Sequence, residues 1–309
     1  MRRTTLIGLA AAVSLIAVSA YGQGQDFSQV QIKSTPLGNN VYMLEGQGGN
    51  IVVAVGRDAV IQVDGEFAPL HDKIKAEVDK LSGGKPIKYL INTHFHGDHT
   101  GGNGAFHKDG TTIVAHRNLA LRLEHGSTNG LSGQKTAPVE KDAVPTVTYT
   151  DTGKQLMVQG QTAMVNHPAS AHTDTDSYVY FAEANVIATG DTVSLGPRYP
   201  TIDYANGGSL NGIIQTVETY IKMGNDTTRY VPGHGPLASK ADIVKYHDML
   251  VGVRTAIQAE IKAGKSEAQA VADKPLAKIG AALGSPPMTD DNMVKMSYRS
   301  LKGAKKNPA

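Results

Sequence analysis

The chain contains no cysteine and no tryptophan, and phenylalanine occurs only 5 times in 309 residues. Without cysteine it can form no disulfide bond and can offer no thiolate as a nucleophile or a metal ligand. The hydrophobic share of 40% and the charged share of 19% are those of an ordinary globular protein. We therefore expect stability to come from a packed core or from bound metal.

The first twenty residues have the pattern of an export signal. Arg2 and Arg3 precede an apolar run at residues 6–18, and the small residues Val18-Ser19-Ala20 close the segment. The run is too short to span a bilayer comfortably, so we predict a signal peptide at residues 1–20, with an uncleaved anchor as the alternative. The mature chain then starts near Tyr21 and is periplasmic or secreted, by either Sec or twin-arginine export.

A large net charge is also absent. The formal charge of the whole chain is +2, and removing Arg2 and Arg3, with no acidic residue among residues 1–20, brings it to 0. A neutral mature chain has no electrostatic footprint for nucleic acid. We therefore expect a small-molecule substrate, no nucleic-acid partner and no stable membrane insertion after signal cleavage, and the oligomeric state stays open.

Short β-type runs separated by Gly, Asn and Asp dominate the mature chain as far as residue 190. They cover residues 41–44, 51–55, 59–63, 87–92, 112–115, 146–150, 161–165, 177–181 and 186–188. Residues 69–81 instead repeat apolar side chains at helical spacing, with Pro69 suited to the first helical position and Gly83-Gly84 to a stop. The pattern predicts a mixed α/β fold with helices on the outside.

The pattern becomes helical beyond Gly235. Apolar residues recur there every three or four positions, at Ile243, Tyr246, Leu250, Val253 and Ile257. Such a stripe predicts a helix packed on the core. We divide the mature chain into a main domain, residues 21–240, and a C-terminal helical extension with a basic tail, residues 241–309. The polar stretch at residues 122–145 is either disordered or a loop over a site.

The stretch HFHGDH follows an apolar run and holds four candidate metal ligands: His94, His96, Asp98 and His99. In an extended segment alternate side chains share a face, so His94 and His96 can bind one ion. Gly97 lets the backbone turn, which directs Asp98 and His99 toward a second position. Neutral imidazole and carboxylate are the ligands that zinc prefers when thiolate is absent.

Three more candidate ligands lie at the boundaries of later apolar runs: His172, Asp191 and His234. Each lies beside Gly, Ser or Thr, where loops collect at one rim of a sheet. His116 and His167 are close enough in sequence to support these ligands.

With these residues the chain resembles the metallo-β-lactamase-fold hydrolases over roughly residues 30–240. The H-x-H-x-D-H motif of that family matches residues 94–99, and its downstream His, Asp and His match in order. The resemblance implies an αββα sandwich with two zinc ions, or other divalent metals, at one edge of the paired sheets. It implies a first zinc bound by His94, His96 and His172, and a second bound by Asp98, His99 and His234, with Asp191 bridging both.

Two ions that share a bridging water lower its pKa toward about 7 and so supply hydroxide near neutral pH. The resemblance therefore predicts a zinc-dependent hydrolase of a small amide or ester, with β-lactams among the candidate substrates. Asp98 is the candidate catalytic residue, which would orient the hydroxide and shuttle its proton. Tyr199 and Tyr204 either line a mildly apolar substrate pocket or pack as loop anchors.

The substrate stays open within the family. One lactamase subclass uses a cysteine at the second metal, which this chain lacks, and another has serine where Asp191 stands. Asp191 is similar instead to its counterpart in glyoxalase II and lactonases, so a (thio)ester hydrolase is the alternative. A glutathione thioester is disfavoured, because its carboxylates would need a basic cluster and Arg198 is the only cation in the segment after Asp191. A non-catalytic periplasmic metal-binding protein is a further alternative.

Overall fold

The structure, a computed structural model, describes residues 26–284 and 290–303. The predicted signal peptide at residues 1–20, the predicted mature start near Tyr21 and residues 304–309 of the basic tail lie outside the described residues. No helix in the two described ranges is long and apolar enough to cross a membrane.

The strands of the described chain are short. In chain order they are β1 (Lys33–Gly38), β2 (Val41–Glu45), β3 (Ile51–Val55), β4 (Val60–Val63), β5 (Ile87–Ile91), β6 (Thr112–His116), β7 (Ser127–Thr128), β8 (Lys135–Thr136), β9 (Val147–Tyr149), β10 (Lys154–Val158), β11 (Gln161–Asn166), β12 (Tyr178–Phe181), β13 (Val186–Ser194) and β14 (Arg229–His234).

The helices alternate with these strands and then follow them. They are α1 (His71–Ser82), α2 (Gly97–Thr100), α3 (Asn103–Lys108), α4 (Arg117–His125), α5 (Leu210–Met223), α6 (Lys240–Lys262), α7 (Glu267–Asp273), α8 (Ala277–Leu283) and α9 (Asp290–Lys302). Local sequence determines several ends. Ser239 and Asp242 form a capping box at the start of α6, and Gly83, in the left-handed conformation, ends α1.

Two sheets form the centre of the described chain. The larger has the order β1-β2-β3-β4-β5-β6-β9, and the smaller has the order β10-β11-β12-β13-β14. Strands β4, β5, β6 and β9 pair in parallel, and β13 pairs in parallel with β14. The remaining neighbours in each sheet are antiparallel. The carboxyl ends of the parallel strands therefore lie together at one rim of each sheet.

Each sheet is covered on both faces. Side chains of the two inner faces pack on each other, Val52 and Ile91 from the larger sheet with Val179 and Val231 from the smaller. The outer face of the larger sheet packs on α1 and α3, and the outer face of the smaller sheet packs on α5, α6 and α9. All five residues of β3 are buried for this reason. The predicted αββα sandwich is confirmed.

The sequence pattern predicted some helices and strands and missed others. The predicted helix at residues 69–81 is α1, preceded by a 3₁₀ turn at Ala68–Leu70. Strands β1 and β10 and helix α5 were not predicted. The signal for α5 was present, because its buried residues recur at helical spacing: Leu210, Ile213, Ile214, Val217 and Tyr220.

The C-terminal helices share a core with the smaller sheet. Leu250 of α6 and Met293 of α9 belong to the same hydrophobic cluster as Ile187 of β13 and Ile213 of α5. The division of the mature chain at residue 240 stays a prediction, and the C-terminal helical extension is confirmed.

Residues 122–145 form an ordered loop. After α4 ends at His125, strands β7 and β8 pair as a small antiparallel ribbon, and a 3₁₀ turn follows at Lys141–Ala143. The carbonyl of Gly130 in this loop accepts a hydrogen bond from Arg299 of α9 at 3.1 Å. The loop is thus tied to the C-terminal extension.

Candidate metal centre

The candidate ligands lie at the rim where the parallel strands end. His94 and His96 follow β5, and Asp98 and His99 lie in the short helix α2; His172 precedes β12, Asp191 lies in β13, and His234 is the last residue of β14. Sheet order thus brings together side chains that are far apart in sequence. The structure groups them into two sets that meet at Asp191.

The first set contains His94, His96, His172 and Asp191, whose ligand atoms all lie within 4.8 Å of one another. His172 Nε2 is 3.0 Å from His96 Nδ1. Asp191 Oδ2 is 3.9 Å from His94 Nε2 and 3.8 Å from His172 Nε2. Three imidazole nitrogens and one carboxylate oxygen are therefore clustered at separations that a single zinc ion can bridge.

Hydrogen bonds on the outer side of the rings determine which nitrogen carries a lone pair inward. His172 Nδ1–H donates to the carbonyl oxygen of Thr201 at 2.8 Å, and His96 Nε2–H donates to Asp203 Oδ2 at 3.1 Å. In the neutral rings, His96 Nδ1 and His172 Nε2 therefore both carry lone pairs and face each other at 3.0 Å. Two lone pairs at this distance repel unless a proton or a metal cation lies between them.

The second set contains Asp98, His99 and His234. Asp98 Oδ2 is 3.2 Å from His234 Nε2 and 3.7 Å from His99 Nε2, and the two ring nitrogens are 3.4 Å apart. Asp191 Oδ1 is 3.3 Å from His99 Nε2 and 3.5 Å from His234 Nε2. Asp191 thus faces the first set with Oδ2 and the second set with Oδ1, as a bridging carboxylate would.

The two sets differ in their electrostatics. Burial lowers the pKa of His172 to about 4, so this ring stays neutral and its lone pair is available. The charge of Asp191 raises the pKa of His234 to about 9. Burial opposes ionisation of Asp98, but the charge of His99 and a hydrogen bond with His234 outweigh it and lower its pKa to about 2. Ionised carboxylates beside imidazoles form a donor set that attracts a divalent cation.

Two buried atoms at the centre have no hydrogen-bond partner among the described residues: His94 Nε2 and Asp191 Oδ1. His94 Nδ1–H donates to Thr93 Oγ1 at 3.1 Å, which leaves the lone pair on Nε2. Buried polar atoms are normally paired. Gly233 keeps space beside Asp191, because a Cβ there would lie 2.0 Å from Oδ1. Zinc ions fit this donor set and would satisfy both atoms.

The glycine-rich stretch at residues 46–50 packs against helix α2. Gly49 N–H donates to the carbonyl oxygen of Asp98 at 3.0 Å, and a Cβ on Gly49 would lie 2.1 Å from His99 Cε1. Only glycine leaves room for the imidazole there. This stretch therefore positions candidate ligands.

Sequence reasoning missed two buried carboxylates that orient the candidate ligands. Asp64 Oδ2 accepts hydrogen bonds from His99 Nδ1–H at 2.8 Å and from Thr93 Oγ1 at 2.7 Å. Burial opposes ionisation of Asp203, but its hydrogen bond with His96 outweighs this and lowers its pKa. Asp64 ends the largely apolar run AVIQV, a context similar to that of the candidate ligands, so this signal could have identified it. Asp203 follows only one apolar residue, Ile202, and has no such local signal.

A cavity of about 490 Å³ opens onto both sets. Beyond the candidate ligands, it is lined by Ser194, Arg198, Tyr199, Thr201 and Asn292. Tyr199 therefore borders the cavity, and its hydroxyl donates to Asp290 Oδ1 at 2.8 Å. Tyr204 is not among the lining residues. Its hydroxyl donates to the carbonyl of Gly130 and accepts from Arg299, which favours the loop-anchor alternative.

His116 and His167 form a separate stacked pair. Their ring centroids are 3.6 Å apart and their planes differ by 4°, and Asp151 Oδ1 lies 3.4 Å from His116 Nε2 and 3.9 Å from His167 Nε2. Lone pairs of parallel rings run side by side and do not converge on one ion, and His116 Nδ1 accepts the N–H of Asn118 at 3.3 Å. In the described contacts this pair does not orient a candidate ligand.

Comparison with known families agrees with this geometry. Residues 34–240 match the family model of the metallo-beta-lactamase superfamily, which is more than half of the chain. The chain belongs to this superfamily. Its clusters of His and Asp could bind metal.

Solved structures share the fold at low sequence identity. A metallo-beta-lactamase from Pontibacter korlensis has a TM-score of 0.58 and 17% identity, covering 71% of this chain and 99% of that chain. A stereoselective inverting sec-alkylsulfatase from Pseudomonas sp. has a TM-score of 0.60 and 13% identity, covering 87% of this chain and 50% of that chain. At these identities the likeness concerns the fold.

Curated relatives match over shorter segments. The alpha subunit of 2,4-dinitroanisole O-demethylase from Nocardioides sp. is 26% identical over 150 residues, which are 48% of this chain and 41% of that protein. The lactamase-like protein aptB of Emericella nidulans is 27% identical over 202 residues, which are 64% of this chain and 55% of that protein. The matches thus span about half the length of these relatives.

Proposed function

We propose that the chain is a binuclear zinc hydrolase that cleaves a small amide or ester outside the cytoplasm, in the periplasm or after secretion. β-Lactams are one candidate substrate class, and lactones or (thio)esters are the alternative. The observation that carries the proposal is the position of Asp191, whose two oxygens face the two histidine sets separately. The signal-like pattern of residues 1–20 supports export.

Seven residues would hold the ions: His94, His96 and His172 the first, Asp98, His99 and His234 the second, and Asp191 both. Bound zinc supplies Lewis acidity and lowers the pKa of bound water. The residues of the chain then orient the reactants. Asp203 and Asp64 keep the rings of His96 and His99 in the tautomers that direct a lone pair inward.

Asp98 would orient the attacking water during turnover. Its side chain is 26% exposed and lines the cavity, so water and substrate can reach it. With a pKa of about 2 it is ionised at neutral pH, and an ionised carboxylate accepts a hydrogen bond from an attacking water and so orients it. Tyr199 also lines this cavity.

The open cavity favours catalysis over simple metal storage. Both Asp98 and His234 line it with partly exposed side chains, whereas structural zinc sites are closed and keep no position for a substrate. The presence of Asp191 supports the alternative (thio)ester or lactone substrate. The single arginine at the cavity, Arg198, gives an anionic substrate group one partner.

Metal analysis of protein purified without added metal, followed by turnover assays, tests the proposal. We expect two zinc ions per chain and hydrolysis of at least one of a chromogenic cephalosporin, a lactone and a thioester. The double variant His94→Ala with His96→Ala should bind at most one ion and lose turnover. Turnover at the wild-type level in that variant would overturn the metal mechanism. Full zinc binding with no turnover of the three substrates would favour the non-catalytic alternative.

A further inference from the structure

A second cavity of about 350 Å³ adjoins the metal cavity. We call it the tail chamber, and its apolar lining is formed by Leu195, Leu237, Tyr246, Met249 and Leu283. Ser194 and Arg198 line both cavities, so the two chambers meet at these residues. Each volume lies within the roughly 300–1,000 Å³ that small-molecule sites occupy.

The C-terminal extension builds one wall of both chambers. Helix α6 places Met249 and α8 places Leu283 at the tail chamber, and α9 places Asn292 at the metal cavity. Asp290, the first residue of α9, accepts a hydrogen bond from Tyr199 and so ties the extension to the cavity wall. These residues of the extension lie beyond the family match at residues 34–240. The tail chamber is therefore formed between the superfamily core and the extension.

Arg198 lies at the junction without a protein partner for its buried Nε among the described residues. Arginine stays charged at any pH at which the protein is folded, and a buried donor without an acceptor is unfavourable. Asp242 and Lys245 also line the tail chamber. These two residues pair with each other, and Ser239 Oγ donates a hydrogen bond to the Asp242 carboxylate. The junction therefore provides a positive charge for a ligand.

We propose that the two chambers form one binding site for an amphiphilic anion. The bond to be cleaved lies at the metal cavity, the negative group pairs with Arg198, and an apolar substituent fills the tail chamber. This inference rests on the proposed hydrolase function for the cleavage step alone, because the charge and apolar contacts are made by residues outside the metal sets. The C-terminal extension thereby contributes to substrate specificity, together with Leu195, Arg198 and Leu237 of the main domain.

Binding of n-alkyl carboxylates, from propanoate to octanoate, to the zinc-loaded protein tests the proposal by calorimetry. The readout is how affinity changes with chain length, since any contact of the carboxylate with zinc is common to the whole series. We expect affinity to rise about fourfold per added methylene, which corresponds to about 0.8 kcal/mol of buried CH₂. The rise should stop when the tail chamber is full.

Variants separate the apolar contact with the tail chamber from the charge contact with Arg198. Met249→Trp and Leu283→Trp each fill the tail chamber from a different helix, so the chain-length dependence should disappear in both. Val244→Trp is the matched control, because Val244 lies on α6 at 38% exposure and does not line the chamber. Arg198→Gln should weaken every carboxylate by about tenfold and leave the dependence on chain length intact.

A flat chain-length dependence in the wild-type protein would overturn the proposal. It would also be overturned by an unchanged dependence in a folded tryptophan variant, and the second variant serves if the first does not fold. If Arg198→Gln weakened the binding of octanoate and of its neutral amide equally, the proposed ion pair with Arg198 would be wrong. Turnover is not part of this readout, so chain-length-dependent binding without turnover would overturn the proposed hydrolysis only.

Discussion

Three carboxylates connect or orient the candidate ligands of the metal centre. Asp191 faces both sets, and Asp64 and Asp203 each hold one ring by its outer nitrogen. Imidazole offers a lone pair on only one nitrogen when neutral, so the outer hydrogen bond decides whether that lone pair points inward. Asp64 and Asp203 therefore determine the direction of the His99 and His96 lone pairs, while Asp191 is itself a candidate ligand.

Asp191→Asn tests the bridging role. The substitution keeps the volume and removes the charge that would lie between two dications about 3.5–4 Å apart. We expect the variant to bind close to one zinc tightly and to lose most activity while remaining folded, because three histidines still hold the first ion. Metal analysis after dialysis checks this result. Two tightly bound zincs and normal turnover would make Asp191 a turn carboxylate only.

Asp64→Asn tests whether Asp64, which is not itself a candidate ligand, orients His99 for metal binding. Loss of the charge that accepts from His99 Nδ1–H should lower zinc affinity by about 10–100-fold, mainly at the second site. Competition with a chelating dye measures the affinity. Asp72→Asn is the matched control, since the Asp72 side chain is 98% exposed and lies on α1. Equal zinc affinity in both variants would leave Asp64 a purely structural role.

Among the elements, short loops at strand ends carry the site and the C-terminal helices cover it. Residues 94–99 follow β5, His172 precedes β12 and His234 ends β14, whereas Asp191 lies within β13. Helix α9 has Met293, Val294 and Met296 buried in the cluster that also holds α5 and α6. This packing indicates that the extension is an integral part of the fold.

Met293→Ala measures how firmly α9 is packed. Met293 is 0% exposed, and truncating a buried methionine costs about 2–5 kcal/mol when the cavity cannot collapse. We expect urea unfolding of the zinc-loaded protein to show a single transition at a lower midpoint. Lys302→Ala, at the exposed end of the same helix, should leave the midpoint unchanged. A separate early transition for α9 would show instead that the extension unfolds on its own.

At the scale of the whole molecule, the stacked pair of His116 and His167 links stability to pH. Burial lowers the pKa of His116 from the usual 6.5 to about 4, and the charge of His167 adds to this effect. The folded state therefore binds fewer protons than the unfolded state between these values. The contribution to stability is complete above pH 6.5, falls as the pH drops, and is lost near pH 4.

His116→Gln should remove that part of the pH dependence. We expect the wild-type protein to lose on the order of 2 kcal/mol more than the variant between pH 6.5 and pH 4, measured by urea unfolding at fixed zinc. Comparing the two proteins cancels the acid sensitivity of the metal sets, which they share. His125→Gln, an exposed histidine at the end of α4, is the control. Identical pH profiles for wild type and His116→Gln would contradict the prediction.

The sequence alone was sufficient to predict the superfamily, the αββα sandwich and the set of candidate ligands. The candidate ligands could be named because their signals are local: the spacing in HFHGDH and polar residues at the boundaries of apolar runs. Helix α1 could be predicted for the same reason, since its periodicity and its glycine stop lie within one segment.

Tertiary structure decided which residues orient the ligands and what shapes the cavity. Asp64 reaches His99 across 35 positions and Asp203 reaches His96 across 107, and such pairs depend on sheet order rather than on spacing. His116, at the end of β6, stacks on His167, which follows β11, because the two sheets bring these strand ends together. The tail chamber likewise exists only because α6 and α8 pack beside the loop that follows β13.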